Sequence, residues 1–268
     1  MYWQERLDNT NKDEKIEEKI KEVRKDNPNY GYRRITAMLR KQGLLINKKK
    51  VQRLVQKLKL QVTSFSRKTR KYSSYKGKIG KVAGNEINRN FKVDKPYTYI
   101  TTDTTDTTEF KYLEKDKNGN YQVKKLYLNP YLDMYNSEII SCEISKQPTL
   151  KPILRALEKA IEITSINKES RIFHSDQGWA YQVKQYTSKL ESEGIRQSMS
   201  RKGNCLDNSP MENFFGILKQ EIYYGKKFYS YEELKETIKK YIEYYNKDRI
   251  KEKLGYLSPV EYRKLNAA

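Results

Sequence analysis

Side chains that hold soft metals or form disulfides are scarce in this sequence. It has one histidine and two cysteines, Cys142 and Cys205, with no CxxC pair and no Cys/His cluster. A zinc finger is therefore excluded by ligand count, and two lone cysteines are more often buried thiols than a disulfide. No apolar run approaches the ~20 residues of a membrane span, and the N-terminus lacks a signal-peptide pattern. A cytoplasmic protein with no membrane partner is the expectation. Positive charge, in contrast, is plentiful. The 268 residues carry 55 Lys/Arg against 34 Asp/Glu, a net charge of +21. Residues 1–95 hold 27 basic and 10 acidic residues, a net of +17; the remainder holds 28 and 24, a net of +4. A basic front half points to a polyanion, most simply nucleic acid; a merely solvated lysine surface is the bland alternative.

Apolar periodicity divides the chain. Residues 14–26 read as a helix, with Ile16, Ile20 and Val23 on one face, ended by Asn27-Pro28-Asn29. A second helix is expected over 31–42, and a third from Asn47, a good N-cap, with Val51, Leu54, Val55 and Leu58 on one stripe. Three short helices with exposed Arg and Lys fit a helix-turn-helix domain over 1–60, against a plain helical bundle. Residues 61–95 read as a basic linker, with Tyr72 and Tyr75 available to stack on bases. From 96 to 262 the expected order is a β-meander (97–110, 123–134, 137–145), a helix at 150–164 and a strand at 170–175. A helix at 180–193, a strand at 195–199 and helices at 209–224 and 230–247 follow. That order predicts a mixed five-stranded α/β sheet with flanking helices, the ribonuclease H-like core.

Two acidic segments stand out, His174-Ser175-Asp176-Gln177-Gly178 and Asp207-Asn208-Ser209-Pro210-Met211-Glu212, with 35 residues between Asp176 and Glu212. A carboxylate at a strand end and another at a helix start can share a cleft that binds two divalent metals. A third is expected from the first strand, where Asp103 and Asp106 both stand in a tandem Thr-Thr-Asp. Each has a bland alternative. Ser209-Pro210-Met211-Glu212 fits a capping box, which alone is the favoured reading of Glu212. Asp176 fits a turn aspartate, Asp133 a strand-end aspartate and His174 a satisfied core histidine.

Taken in order, these segments resemble the second-frame (OrfB-type) part of a bacterial insertion-sequence transposase of the DDE class, with a retroviral-integrase-like core. The resemblance rests on Tyr30-Gly31-Tyr32-Arg33-Arg34-Ile35, on 47–54, on Thr105-Asp106-Thr107-Thr108-Glu109-Phe110, and on Tyr127-Leu128 through Asp133. It continues through 174–178, 198–204, Asp207-Asn208 and Glu212-Asn213-Phe214-Phe215 with Leu218-Lys219. It closes on Tyr245-Asn246, Arg249, Leu254-Gly255-Tyr256 and Pro259. Two departures are the duplicated Thr-Thr-Asp and Lys251, where many relatives carry His. Asp103 matches by distance from Lys95-Pro96, Asp106 by the Thr-Thr-Glu-Phe that follows. The reading favours Asp106, because an upstream linker absorbs extra residues more easily than a downstream hairpin.

The resemblance implies DNA cleavage and strand transfer at the ends of an insertion sequence. The first Asp, Asp176 and Glu212 would hold two Mg²⁺, with Mn²⁺ able to substitute. Asn208 and Lys219 would orient Glu212 or hold phosphate. Arg33, Arg34, Lys48, Lys49, Lys50 and Arg53 would contribute DNA contacts. The implied partners are terminal inverted repeats, target DNA, further copies of the chain and an upstream-frame subunit or fusion partner. The family's upstream frame carries another DNA-binding motif and a coiled coil. A chain starting at Met1-Tyr2-Trp3 without them is expected to recognise the ends weakly alone. The rivals are a catalytically inactive, transposase-derived DNA-binding regulator and a nuclease that cuts without joining. A glycosidase with paired carboxylates does not suit the charge.

Overall fold

Apolar stripes on three short helices build the first of two units in the computed structural model, which describes residues 11–65, 80, 82–103, 108–167 and 170–267. That unit comprises Met1–Lys68 with Lys251–Tyr256; the second comprises Thr69–Ile250 with Leu257–Ala268. Asp106, Tyr72 and Tyr75 lie outside the described residues.

In the first unit, α1 (Glu14–Asp26), α2 (Tyr32–Lys41) and α3 (Lys48–Lys57) bury Ile20, Val23, Ile35, Leu39, Val51, Leu54 and Val55. Asn47 caps α3 by accepting from the Lys49 N–H at 2.9 Å. Charge pairs tie α1 to α3. Asp13 meets Lys50 at 2.7 Å and Arg53 at 2.6 Å, and Glu17 meets Lys57 at 2.7 Å. Arg33 pairs with Glu252 at 3.1 Å.

The second unit is a mixed sheet. Its strands are β1 (Tyr99–Thr102), β2 (Glu109–Lys115), β3 (Tyr121–Asp133), β4 (Ile139–Ser145), β5 (Ile172–Ser175) and β6 (Arg196–Met199). β3 pairs antiparallel with β1, β2 and β4, while β5 pairs parallel with both β1 and β6. Six strands replace the expected five, for a definite reason. β4 occupies one side of β3, so β1 and β2 both lie along the other side, as two pieces of one line. β1 ends at Thr102 and β2 begins at Glu109, within the span expected to form one strand.

Both faces are covered. Ile100, Tyr131 and Phe173 pack with Ile153 and Leu157 of α4 (Leu150–Thr164) and with Tyr181 and Tyr186. Those tyrosines come from α5 (Trp179–Gln182) and α6 (Lys184–Ser192), which replace the single helix expected over 180–193. On the other face, Phe110, Leu126 and Leu128 pack with Phe214 and Phe215 of α7 (Ser209–Leu218) and Tyr245 of α8 (Tyr231–Lys247). The helix expected over 209–224 leaves α geometry at Leu218 and runs through a π turn, Lys219–Tyr223. A final helix, α9 (Pro259–Asn266), was not foreseen. Residues 84–91, within the span read as linker, pack on this unit. Ile87 is buried with Met134 and Ile172, and Gly84 accepts from the Met199 N–H at 3.1 Å.

An ion pair braces the α7–α8 layer. Arg249 donates to Glu221 at 2.6–3.1 Å, both side chains are 1% exposed, and Tyr241 donates to the same carboxylate at 2.9 Å. Breaking one side of a buried pair strands the other charge. Arg249→Met is expected to cost about 3–5 kcal/mol in urea unfolding, and adding Glu221→Gln to recover much of it. A loss under ~1 kcal/mol would show that Glu221 is not held as a buried charge.

Candidate active site

The site begins with strand pairing. Ile172 and Phe173 are apolar and buried, so β5 runs through the sheet interior, and its parallel register sets Thr101 beside His174. Two residues further along both strands, the same register brings Asp103 beside Asp176. The carboxyl ends of adjacent parallel strands are where α/β sheets bind ligands. Both aspartates are buried, at 1% and 8% exposure. Burial first, and the Asp103 carboxylate second, push Asp176 well above the usual carboxylate range. Asp176 also accepts from the Gly178 N–H at 3.1 Å, which fixes the turn into α5.

Asn208 secures the neighbouring strand. Its side-chain amide donates to the Thr102 carbonyl at 3.0 Å and its oxygen accepts from the Thr101 hydroxyl. The end of β1, one residue before Asp103, is thereby tied to the start of α7. The Thr102 hydroxyl lies 3.1 Å from that of Tyr181.

Glu212 sits in the first turn of α7, half-buried, one helical turn beyond Asn208. The capping-box reading of this residue fails. Helix α7 takes Asn208 as its N-cap, Ser209 is already helical, and the Asn208 side chain makes no capping bond. A short 3₁₀ turn, Cys205–Asn208, feeds straight into the helix and takes the place of the extended residue a cap needs. The same Ser-Pro-x-Glu pattern does form a capping box at Ser258-Pro259-Val260-Glu261. Lys219 opens the π turn and lays its ammonium 4.9 Å from the centre of the Phe110 ring.

The remaining candidates have structural occupations. His174 is fully buried, with Nδ1 2.9 Å from the Ser198 hydroxyl and Nε2 3.1 Å from that of Ser200. Burial pulls it down to about 4, so it is neutral at pH 7. Asp133 accepts from the Tyr97 and Tyr135 N–H groups at 2.8 and 3.0 Å and is pushed up to about 7 by burial. It lies toward the opposite end of β1 from Asp103, opposite Ile100. Among the described residues, no three His, Cys, Asp or Glu side chains form a group that could hold a metal. The donor set nonetheless suits a hard divalent cation. Two buried carboxylates side by side repel each other, and a cation between them removes that cost.

Asp207 has a larger role than its place in the sequence motif suggests. It receives Arg201 through two nitrogens at 2.8 Å, Arg89 at 2.8 Å and Asn85 at 3.1 Å. This pins residues 85–89 and 201 around the base of α7. The signal available in the sequence was an acid directly before the clamp residue Asn208; its arginine partners come from distant loops.

The fold and the paired strand-end aspartates define a ribonuclease H-like core of the integrase kind. Residues 94–205 and 212–266 each match a family described as integrase core domain, and residues 11–69 match one described as HTH-like domain. InsK, the assigned transposase of insertion sequence element IS150 in Escherichia coli (strain K12), is 42% identical over 92% of this chain and 82% of its own length. A transposase-like protein of Haemophilus influenzae is 46% identical over 83% of this chain and 95% of its own. The transposase of IS904 from Lactococcus lactis is 32% identical, with 94% of each chain covered. The chain belongs to the family of bacterial insertion-sequence transposases.

The acid network yields a pH test. The Arg201 guanidinium, joined by Arg89, holds the Asp207 carboxyl well below the usual carboxylate range. A folded-state value below the unfolded ~3.9 means this contribution is present above about pH 4 and lost as pH falls toward the folded value. Asp207→Asn is expected to lower stability at pH 7 and flatten the acid limb of the pH–stability curve. Identical acid limbs in the two proteins would remove Asp207 from the account.

Proposed function

We propose that this chain is a DDE transposase that cuts and joins DNA at the ends of an insertion sequence. The observation that carries the reading is the pair Asp103 and Asp176, buried together at the ends of two parallel strands. Glu212, in the first turn of α7, is the third carboxylate of this reading. Asp103, Asp176 and Glu212 would hold two Mg²⁺, or Mn²⁺ in their place. When bound, such ions supply Lewis-acid activation of an attacking hydroxyl and relief of charge on the leaving oxygen.

The chain's own residues do the positioning. Asn208 ties the Asp103 strand end to α7, so two of the three acids are set relative to one another through one amide. Lys219, in the helix layer that carries Glu212, would offer its charge to a DNA phosphate. His174 is committed to Ser198 and Ser200 and takes no proton in the reaction.

Residues 1–60 would read DNA, 61–95 would link up to the segment 84–91 that packs on the core, and 96–262 would carry the chemistry. Lys48 and Lys49 are exposed in the first turn of α3, the part of a helix-turn-helix that meets base edges. Arg33, Lys50 and Arg53 already neutralise acids of their own unit, and Arg34 lies 5.4 Å from the Tyr30 ring centre. Phosphate contact would therefore fall first to Lys48 and Lys49. Work on DNA ends calls for several copies of the chain and an upstream-frame partner, in the cytoplasm at the nucleoid.

Labelled terminal repeats incubated with the protein and Mg²⁺ or Mn²⁺ test the reading. Nicking and joining are expected, abolished by chelation and reduced at least about 100-fold by Asp176→Asn or Glu212→Gln. No product, even with the upstream partner supplied, would leave only the regulator reading. In binding titrations, Lys48→Ala and Lys49→Ala should each lower the salt slope by about 1 without changing sequence preference. An unchanged slope would place the phosphate contacts elsewhere.

A further inference from the structure

The tandem Thr101-Thr102-Asp103 and Thr104-Thr105-Asp106 can be followed through the sheet. Ile100 pairs with Asp133 and Thr102 with Tyr131, so the next place, opposite Pro130, falls to Asp103. Counting back from Glu109, which pairs with Tyr127, the same place falls to Asp106. The two halves of this strand therefore run past β3 in registers three residues apart. Between these two registers the chain holds three residues more than β3 has partners to offer.

Only one of the two registers also fits β5. Asp103 stands beside Asp176 because Ile100 stands beside Phe173. To bring Asp106 to that place, the strand must slide by three residues. Thr104 and Thr105 would then replace Thr101 and Thr102, an identical pair able to meet Asn208 and Tyr181 unchanged. The next substitution is not neutral. Asp103 would enter the place of Ile100, which is fully buried among Tyr131, Leu157 and Phe173. A carboxylate there has lost its water and gained an apolar wall, which a buried charge does not tolerate. The threonines of the repeat leave the choice of register open, and Ile100 closes it.

We infer that Thr104-Thr105-Asp106 is an in-frame expansion of the catalytic strand, that Asp103 alone supplies the first carboxylate, and that removing one copy of the repeat rejoins β1 and β2. Excision of either copy gives the same sequence, Tyr99-Ile100-Thr101-Thr102-Asp103 followed by Thr107-Thr108-Glu109-Phe110. In that chain a single aspartate satisfies the register of β3 from both sides and the register of β5. The inference rests on the proposed carboxylate site.

Four variants of the full chain test it: Asp103→Asn, Asp106→Asn, Asp176→Asn and deletion of 104–106. Each is assayed for Mn²⁺ binding by calorimetry, for melting temperature, and for cleavage of a labelled duplex bearing the repeats that flank this reading frame. Asp103→Asn and Asp176→Asn should both lose Mn²⁺ binding and at least 100-fold in cleavage, converted at 1.4 kcal/mol per tenfold to roughly 2.8 kcal/mol. Asp106→Asn should keep both within about twofold. The deletion should keep Mn²⁺ binding, melt no lower than the parent and cleave at least as fast. Loss of cleavage in Asp106→Asn with retention in Asp103→Asn overturns the inference. So does a deletion that folds but neither binds Mn²⁺ nor cleaves, or one that melts below the parent. An Asp176→Asn protein that still binds Mn²⁺ and cleaves would instead overturn the site itself.

Discussion

Parallel pairing of β1 with β5 is the constraint on which the rest of the molecule turns. Two short strands, separated by some seventy residues of chain, share a register only because apolar side chains from both must meet the same helix layer. That register carries its polar ends along with it. It sets two buried carboxylates beside each other, an arrangement no local preference would produce and one that costs stability while both are charged. The amide of Asn208 then fastens the strand to α7.

The treatment of the other buried acids sharpens this. Asp207 is answered by Arg201 and Arg89, Glu221 by Arg249, and Glu138 by Arg263 at 2.7 Å. Asp133 is answered by two backbone N–H groups. Asp176 accepts one backbone N–H and faces a carboxylate. Burial and the Asp103 carboxylate both raise Asp176, a cost that a bound cation would relieve. The Ser198, Ser200 and Tyr181 hydroxyls and an uncharged imidazole provide polarity nearby.

Much of this was legible in the sequence, and the failures are instructive. Helices α1, α3, α4 and α8 and strands β3 to β6 lie within a few residues of where periodicity puts them, because each buries one face. Asp176 was legible as the residue after an apolar strand. Glu212 was misread in isolation, since Ser-Pro-x-Glu is a true capping signal and forms one at 258–261. What distinguishes the two copies is the 3₁₀ turn before Ser209, set by tertiary contacts of Asp207 and Asn208. Helix α9 was missed although it carried that same signal. The split of the first strand was not legible either. A tandem repeat looks alike from both flanks, and only the pairing of those flanks with β3 and β5 shows that their registers differ. The proposed register departs from the expectation that an upstream linker would take up the extra residues. Residues 84–91 are anchored on the core, and β1 is held on both sides.

The fate of the lone histidine has a wider consequence. An imidazole is the side chain that ordinarily changes charge between pH 5 and 8. Here it is enclosed and neutral, with a value near 4. Asp133, pushed to about 7, and Asp176, pushed well above the usual carboxylate range, are described carboxyls raised toward that window, and they move little charge against a surplus of 21. The protein's pull on a polyanion is therefore almost deaf to acidity. What the cell can use to loosen or tighten it is the concentration of small ions, which screen and compete for the same phosphates.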